Sequence, residues 1–206
     1  MRYLYLHGLA SSPNSTKARQ LGDRALACGL DWEVPDLNGG DFSTLTLTRQ
    51  IQQVRSLVGE IPTVLVGSSL GGLTAAWVAQ HTLAVKRLIL LAPAFGFPDP
   101  WLTPDDRAVW QNTGYLEIYH YGEGCELPLH YQFVEDLRRC DSRELMRPVD
   151  TTIFHGVRDD TIPISASREY VKTRPYARLV ELDSDHRLTD AIARIWEAIE
   201  PCGKTS

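Results

Sequence analysis

A serine with the surroundings of a nucleophile lies in the sequence VLVGSSLGG, residues 64–72. Ser69 has glycines two positions before and two positions after it and so fits the pattern G-x-S-x-G, whereas Ser68 has neither glycine. An apolar run precedes the pattern and a stretch of small residues follows it, which predicts a strand, a sharp turn and a helix. Such a helix would aim its amide dipoles at the serine oxygen. The chemistry indicated is acyl transfer to a serine hydroxyl.

A base and an acid follow in the order that this chemistry requires. His186 stands in LDSDHRL, and two adjacent acids, Asp159 and Asp160, stand in FHGVRDDTIP, each segment directly after an apolar run. The chain order Ser69, Asp159, His186 is the order of serine triads on parallel sheets. His186 would remove the serine proton, and the acid would hold the imidazole in one tautomer. We favour Asp159 as the acid, with Asp160 as the alternative.

Two backbone amides are candidates for an oxyanion hole. The sequence His7-Gly8-Leu9 ends the first apolar run, and a turn there can point the Leu9 amide to the same place as the amide of Leu70, which follows Ser69. Two such donors stabilise the negative charge of a tetrahedral intermediate. His7 is then a structural residue of the loop and not the base.

No metal or organic cofactor is required by this mechanism. Asp183 and Asp185 could be metal ligands, but D-x-D-H is too short a signal to predict a site. The four cysteines form no C-x-x-C pair and no zinc-ligand spacing with histidine, so free thiols are expected.

The elements that must position these residues form an alternating pattern. Short apolar runs alternate with helix-period stretches, which predicts a right-handed, mostly parallel α/β sheet with its functional residues at the carboxyl ends of the strands. The predicted strands are Tyr3–Leu6, Trp32–Val34, Thr63–Val66, Leu88–Ala92, Thr152–Phe154 and Leu179–Leu182. The predicted helices run from about Thr16 to Cys28, over the apolar face 47–58, from Gly71 to His81, from Ser165 to Lys172, and from Leu188 to Ile199.

Residues 98–148 interrupt this pattern and contain no convincing strand. The segment 95–133 holds nine of the 18 aromatic residues of the chain, which predicts a small helical insertion folded over the site. Its aromatic side chains would either wall an apolar acyl or aryl pocket or pack the insertion against the body of the protein. The candidate substrate-binding residues are Trp101, Trp110, Tyr119 and Tyr121.

Size and charge exclude several classes of protein. The 206 residues predict one α/β domain spanning residues 1–206, with the insertion at about 98–148. A net charge of −5 is a poor match for nucleic acid. No apolar run approaches the roughly 18 residues of a membrane span, and the first residues do not resemble a signal peptide. We therefore expect a cytoplasmic protein, monomeric or homodimeric, that acts on a small-molecule ester.

The motifs together resemble those of the α/β-hydrolase superfamily, from His7-Gly8 to His186. The opening LYLHGLASSPNSTKA, residues 4–18, with VGSSLGG at 66–72, is similar to the YqiA/YcfP-type bacterial esterases. This resemblance implies an α/β-hydrolase fold with six strands in the order 2-1-3-4-5-6. It also implies a serine esterase with the triad named above. A thioesterase, a lyase that uses the same triad and a catalytically inactive ligand-binding protein are the alternatives.

Overall fold

The computed structural model describes residues 1–98 and 102–200. A six-stranded parallel sheet has the order β2-β1-β3-β4-β7-β8, and β5 pairs with β6 in a separate antiparallel hairpin. The strands are β1 (Arg2–Leu6), β2 (Asp31–Glu33), β3 (Thr63–Ser68), β4 (Val85–Leu91), β5 (Tyr115–His120), β6 (Cys125–His130), β7 (Asp150–Gly156) and β8 (Ala177–Leu182). The helices are α1 (Thr16–Ala27), α2 (Leu47–Val58), α3 (Leu70–His81), α4 (Pro104–Thr113), α5 (Gln132–Leu137), α6 (Ile164–Lys172) and α7 (Ile192–Ile199). The predicted order of the six main strands, 2-1-3-4-5-6, is confirmed.

Side chains of the central strands alternate between two apolar cores. In β1, Tyr3 and Tyr5 face the core formed with α1 and α7, whereas Leu4 and Leu6 face the core formed with α2, α3 and the insertion. All four side chains are buried, because a parallel sheet is covered by helices on both faces. The sheet therefore forms a rigid middle layer, and its strand ends are fixed in position.

Helix α3 packs unusually close to the strands beneath it. A Cβ atom added to Gly71 would lie 2.2 Å from the carbonyl oxygen of Leu6, and one added to Gly67 would lie 2.4 Å from the carbonyl oxygen of Gly71. No side chain fits in either place. The two glycines of G-x-S-x-G thus bring the start of α3 against the ends of β1 and β3.

The last helix begins later than its apolar pattern predicts. The apolar spacing predicts a start at Leu188, but α7 begins at Ile192. Leu188 has a φ of 52°, a left-handed conformation that cannot continue a helix, although its side chain is fully buried in the same core. The apolar spacing predicted burial correctly, whereas the backbone turns between His186 and the helix.

The insertion is only partly helical, which corrects the prediction. Between α4 and α5 the chain forms the hairpin β5–β6, joined by a turn that contains Gly124 at a φ of 71°. In β5 the partly buried Leu116 and Ile118 pack against the core and alternate with more exposed residues, a period of two that fits a strand with one buried face.

In the described part of the chain, no helix has both the length and the apolar character needed to cross a bilayer.

Candidate active site

The backbone of Ser69 is held in a strained conformation between β3 and α3. Its φ is 54° and its ψ is −118°, values that are rare for a residue with a side chain. Its N–H donates to the carbonyl of Leu91 at 2.9 Å, and its own carbonyl accepts from the amides of Gly72, Leu73 and Ala94. These four hydrogen bonds fix the turn that presents the serine side chain at the carboxyl edge of the sheet.

His186 connects the serine to an acid. Its Nε2 lies 3.1 Å from Oγ of Ser69, and its Nδ1 lies 2.7 Å from Oδ2 of Asp159. A carboxylate only accepts, so Nδ1 carries the hydrogen and Nε2 is free to accept the serine proton. The His186 side chain is about one-fifth exposed, whereas that of Asp159 is fully buried. A loop after β3, one after β7 and one after β8 thus meet at one point.

The carboxylate of Asp159 is surrounded by donors. Its Oδ1 accepts from the backbone amides of Thr161 at 2.9 Å and Ile162 at 2.8 Å. Burial alone would raise the pKa of this carboxyl, but hydrogen bonds from His155, His186 and the Ile162 amide outweigh it and hold the pKa well below its usual range. Asp159 is therefore ionised throughout the pH range in which it has to orient His186.

The alternative residues at both positions point elsewhere. Asp160 is exposed, and its carboxylate accepts from the Thr161 hydroxyl at 3.2 Å. Ser68 is buried and shares a side-chain hydrogen bond with Tyr5. Of each adjacent pair, only Ser69 and Asp159 contact His186.

The two residues predicted to supply an oxyanion hole stand in segments that lie against the serine. Leu70 is the first residue of α3, and Leu9 follows Gly8 in the loop after β1. A Cβ atom on Gly8 would lie 3.3 Å from Cβ and 4.0 Å from Oγ of Ser69, so this loop passes directly against the serine. Within residues 1–98 and 102–200, neither the Leu9 nor the Leu70 amide donates to a protein acceptor.

His7 occupies a structural position in that loop, as expected. It is almost completely buried, and its Nε2 accepts from the amide of Leu37 at 2.9 Å while its Nδ1 lies 3.0 Å from the carbonyl of Gly8. Burial lowers the pKa of His7, although Asp36 and the Gly8 carbonyl act in the opposite direction. Both ring nitrogens are engaged in supporting the loop.

The hairpin of the insertion braces the same loop. The amide of Tyr121 donates to the carbonyl of Ala10 at 2.8 Å, and a Cβ atom on Gly122 would lie 2.7 Å from Cβ of Ser12. The rings of Tyr119 and Tyr121 meet edge to face at 5.2 Å and are half and four-fifths exposed. These two predicted residues thus stand on the surface beside the Leu9 loop.

The two tryptophans predicted for the substrate-binding surface have different outcomes. Trp110 is fully buried, and its indole N–H donates to the carbonyl of Leu129 at 2.9 Å. It packs near Tyr131 and Phe133 in the core of the insertion and presents no surface to a substrate, because the apolar face of the hairpin needs a large partner beneath it. Trp101 lies outside the described residues.

Charged side chains at this edge pair with one another. Asp183 bonds Arg158 at 2.9 Å, and Asp185 bonds Arg187 at 3.1 Å. No cluster of three or more metal-ligating side chains occurs in the described ranges. Nearby on α1, burial lowers the pKa of Lys17 to about 8, against the opposing influence of Asp185 and Asp159.

Two contacts of the site were not anticipated from the sequence. His155 lies against Asp159, and the hairpin tip lies against Ala10. A signal for the first was the position of His155 at the end of an apolar run, four residues before the acid. The alternation of Leu116 and Ile118, with glycines following, was the signal for the second.

Comparisons with known proteins agree with the fold. Residues 2–201 match UPF0227, described as an uncharacterised protein family, and a search of curated proteins finds no match. Among solved structures, mouse alpha/beta hydrolase domain-containing protein 10 superposes with a TM-score of 0.81 at 22% identity over 96% of this chain and 87% of its own. Est1E from Butyrivibrio proteoclasticus, solved with ferulic acid bound, superposes with a TM-score of 0.80 at 18% identity over 96% of this chain and 87% of its own. Monoacylglycerol lipase from Paleococcus ferrophilus superposes with a TM-score of 0.77 at 15% identity over 96% of this chain and 91% of its own. These similarities establish the α/β-hydrolase fold.

Proposed function

The chain belongs to the UPF0227 family and has an α/β-hydrolase fold, and from that premise we propose that it is a serine hydrolase that cleaves carboxylic esters. The observation that carries the proposal is the continuous chain of hydrogen bonds from Ser69 through His186 to Asp159. A surface serine with no function needs neither a strained backbone nor a buried, ionised acid behind its histidine.

The first half of the reaction forms an acyl-enzyme. Nε2 of His186 accepts the hydroxyl proton as Oγ of Ser69 attacks the ester carbonyl carbon. The tetrahedral intermediate collapses, the bond between the carbonyl carbon and the alcohol oxygen breaks, and His186 returns the proton to the departing alcohol. Asp159 remains ionised and stabilises the imidazolium through Nδ1–H.

The second half of the reaction releases the acid. Water attacks the acyl-enzyme while His186 accepts its proton, and collapse of the second intermediate returns that proton to Oγ of Ser69. The Leu9 and Leu70 amides would donate to the oxyanion of both intermediates. In well-studied enzymes one such donor contributes about 3–4 kcal/mol.

The substrate class is a small to medium acyl or aryl ester. The exposed ring pair of Tyr119 and Tyr121 supports this choice, since it offers an aromatic surface next to the Leu9 loop. Est1E, which has a similar fold, was solved with ferulic acid, an aromatic acid, bound to it. We infer that the two tyrosines contact the acyl group.

A panel of p-nitrophenyl esters graded by acyl length, with matching acyl thioesters, tests the proposal. Wild-type protein should hydrolyse the esters, and Ser69→Ala should reduce kcat/KM by at least about 10³-fold. Ser68→Ala is the matched control and should retain a substantial part of the activity. Full activity in Ser69→Ala would contradict the mechanism, a preference for thioesters would assign a thioesterase, and no turnover in wild type would favour a ligand-binding protein.

The two tyrosines are tested by the same panel. Tyr119→Ala and Tyr121→Ala should shift the preferred acyl length and leave the melting temperature nearly unchanged, because the two side chains are half and four-fifths exposed. Trp110→Ala should instead cost about 3–5 kcal/mol of stability, since it removes a fully buried indole. Unchanged acyl preference in both tyrosine variants would place the acyl pocket elsewhere.

A further inference from the structure

A second histidine lies on the far side of the buried acid. Nε2 of His155 is 3.1 Å from Oδ2 of Asp159, the oxygen that also bonds Nδ1 of His186. The His155 side chain is completely buried at the end of β7. Asp159 therefore sits between two imidazoles.

The neighbours of His155 determine where its hydrogen lies. Nε2 is 2.9 Å from the carbonyl oxygen of Ile162 as well as 3.1 Å from Oδ2 of Asp159. Both of these oxygens only accept, so Nε2 must carry a hydrogen, which bonds the Ile162 carbonyl and also faces Oδ2 of Asp159. Nδ1 lies 2.8 Å from Oγ of Ser167 on α6, a buried hydroxyl that can donate to it. A neutral ring protonated at Nε2 satisfies every contact.

We propose that His155 is a positioning residue that fixes Asp159 in the orientation in which its Oδ2 faces His186. The inference rests on the proposed function, because it concerns the same hydrogen-bonded chain. Two backbone amides hold Oδ1, and the Nε2–H of His155 is the second donor on Oδ2. It disperses the carboxylate charge and limits how strongly Asp159 attracts the proton of His186.

The charged groups that act on this pair in the described part of the chain remain unchanged in the variants below. Lys17 acts on Asp159 from α1, and Asp185 and Arg187 flank His186 in its own loop. Glu181 acts on His155 from β8 and is paired with Arg168 of α6 at 2.7 Å. A shift of the pH profile that occurs in His155→Phe and not in His155→Gln can thus be assigned to the lost N–H that faces Asp159.

The direction in which the pH profile should move follows from the loss of one N–H donor beside Asp159. In His155→Phe the negative charge of Asp159 that faces His186 is less dispersed, which favours the protonated imidazole of His186 over the neutral one. The acid limb of kcat/KM should move about half a pH unit or more to higher pH, and kcat/KM at its optimum should fall about 10-fold or more. His155→Gln, whose amide can place an N–H near the position of Nε2, should keep the wild-type acid limb.

The experiment records pH profiles of ester hydrolysis and of fluorophosphonate labelling for wild type, His155→Phe and His155→Gln. An acid limb in His155→Phe that stays in place or moves to lower pH overturns the proposal. If wild type neither hydrolyses nor labels, the proposed function fails instead.

A second measurement uses the wild-type protein alone and so does not require that a variant folds. Imidazole ¹⁵N chemical shifts of the wild-type protein should show His155 protonated at Nε2 over the pH range in which the enzyme is active. A ring protonated only at Nδ1 would overturn the proposal, because it could not donate to Asp159.

Discussion

At the scale of single residues, the candidate site combines a serine in a strained backbone conformation with a buried acid that accepts several hydrogen bonds. The conformation of Ser69 costs about 1–3 kcal/mol and persists because the surrounding backbone bonds over-determine it. The pattern G-x-S-x-G and the chain order predicted Ser69 and His186. Adjacent identical residues could not separate Asp159 from Asp160, because the choice depends on which carboxylate meets the amides of the following turn.

Asp159→Asn should reduce kcat by about 10³–10⁴-fold, since the amide can hold His186 in the wrong tautomer. Asp160→Asn is the matched control and should remain near wild type, because Asp160 is exposed and, among the described residues, its carboxylate bonds the Thr161 hydroxyl and not His186. Steady-state kinetics on one ester, with circular dichroism to verify folding, measures both. A larger loss in Asp160→Asn would reverse the assignment of the acid.

At the scale of elements, the start of α3 and the loop after β1 both lie against the serine, and they carry the two amides proposed for the oxyanion hole. Strand and helix types followed from apolar periodicity, as for α2, whose face was predicted by the spacing of Leu47, Ile51, Val54 and Val58. The hairpin of the insertion differs from the predicted helical segment, because the short alternation of Leu116 and Ile118 is a weak signal within so aromatic a stretch. Its contact with the Leu9 loop joins segments more than 100 residues apart, a relation that local patterns do not encode.

The same substitution in two helices should have opposite effects. Gly71→Ala places a methyl group 2.2 Å from the Leu6 carbonyl and should lower the free energy of unfolding by about 2 kcal/mol or more, with loss of activity. In Gly22→Ala on α1 the new methyl group lies at an ordinary contact distance, 3.4 Å, from Nε1 of Trp32. This substitution should raise the free energy of unfolding by about 0.5–1 kcal/mol. Urea unfolding gives both values. A Gly71→Ala protein as stable as wild type would contradict the close packing of α3.

At the scale of the whole molecule, the parallel sheet gathers the ends of β1, β3, β7 and β8 at one edge, where all the proposed reacting groups stand. The alternation of apolar runs with helical stretches predicted this arrangement correctly. The backbone after β8 was not predictable from it, because Leu188 is apolar and buried although it lies in a turn.

The buried acid should also influence acid unfolding. The pKa of Asp159 is lowered in the folded state, so below the ordinary aspartate pKa of about 3.9 the unfolded chain takes up a proton that the folded chain does not. The stability that ionised Asp159 contributes to the folded state is present above that pH and is lost as the pH falls below it. Asp159→Asn should therefore lose less stability than wild type between about pH 5 and pH 3. Ser69→Ala, which keeps the acid, is the control, and equal slopes in Asp159→Asn and wild type would contradict the shift.

The most direct test of the central claim is labelling by a fluorophosphonate followed by peptide mass mapping. An activated serine is required for the reaction, and no knowledge of the substrate is needed. We expect one adduct, on Ser69, in wild type and in Ser68→Ala, and none in Ser69→Ala or His186→Ala. An adduct on another residue, or labelling of Ser69→Ala to the wild-type extent, would contradict the account.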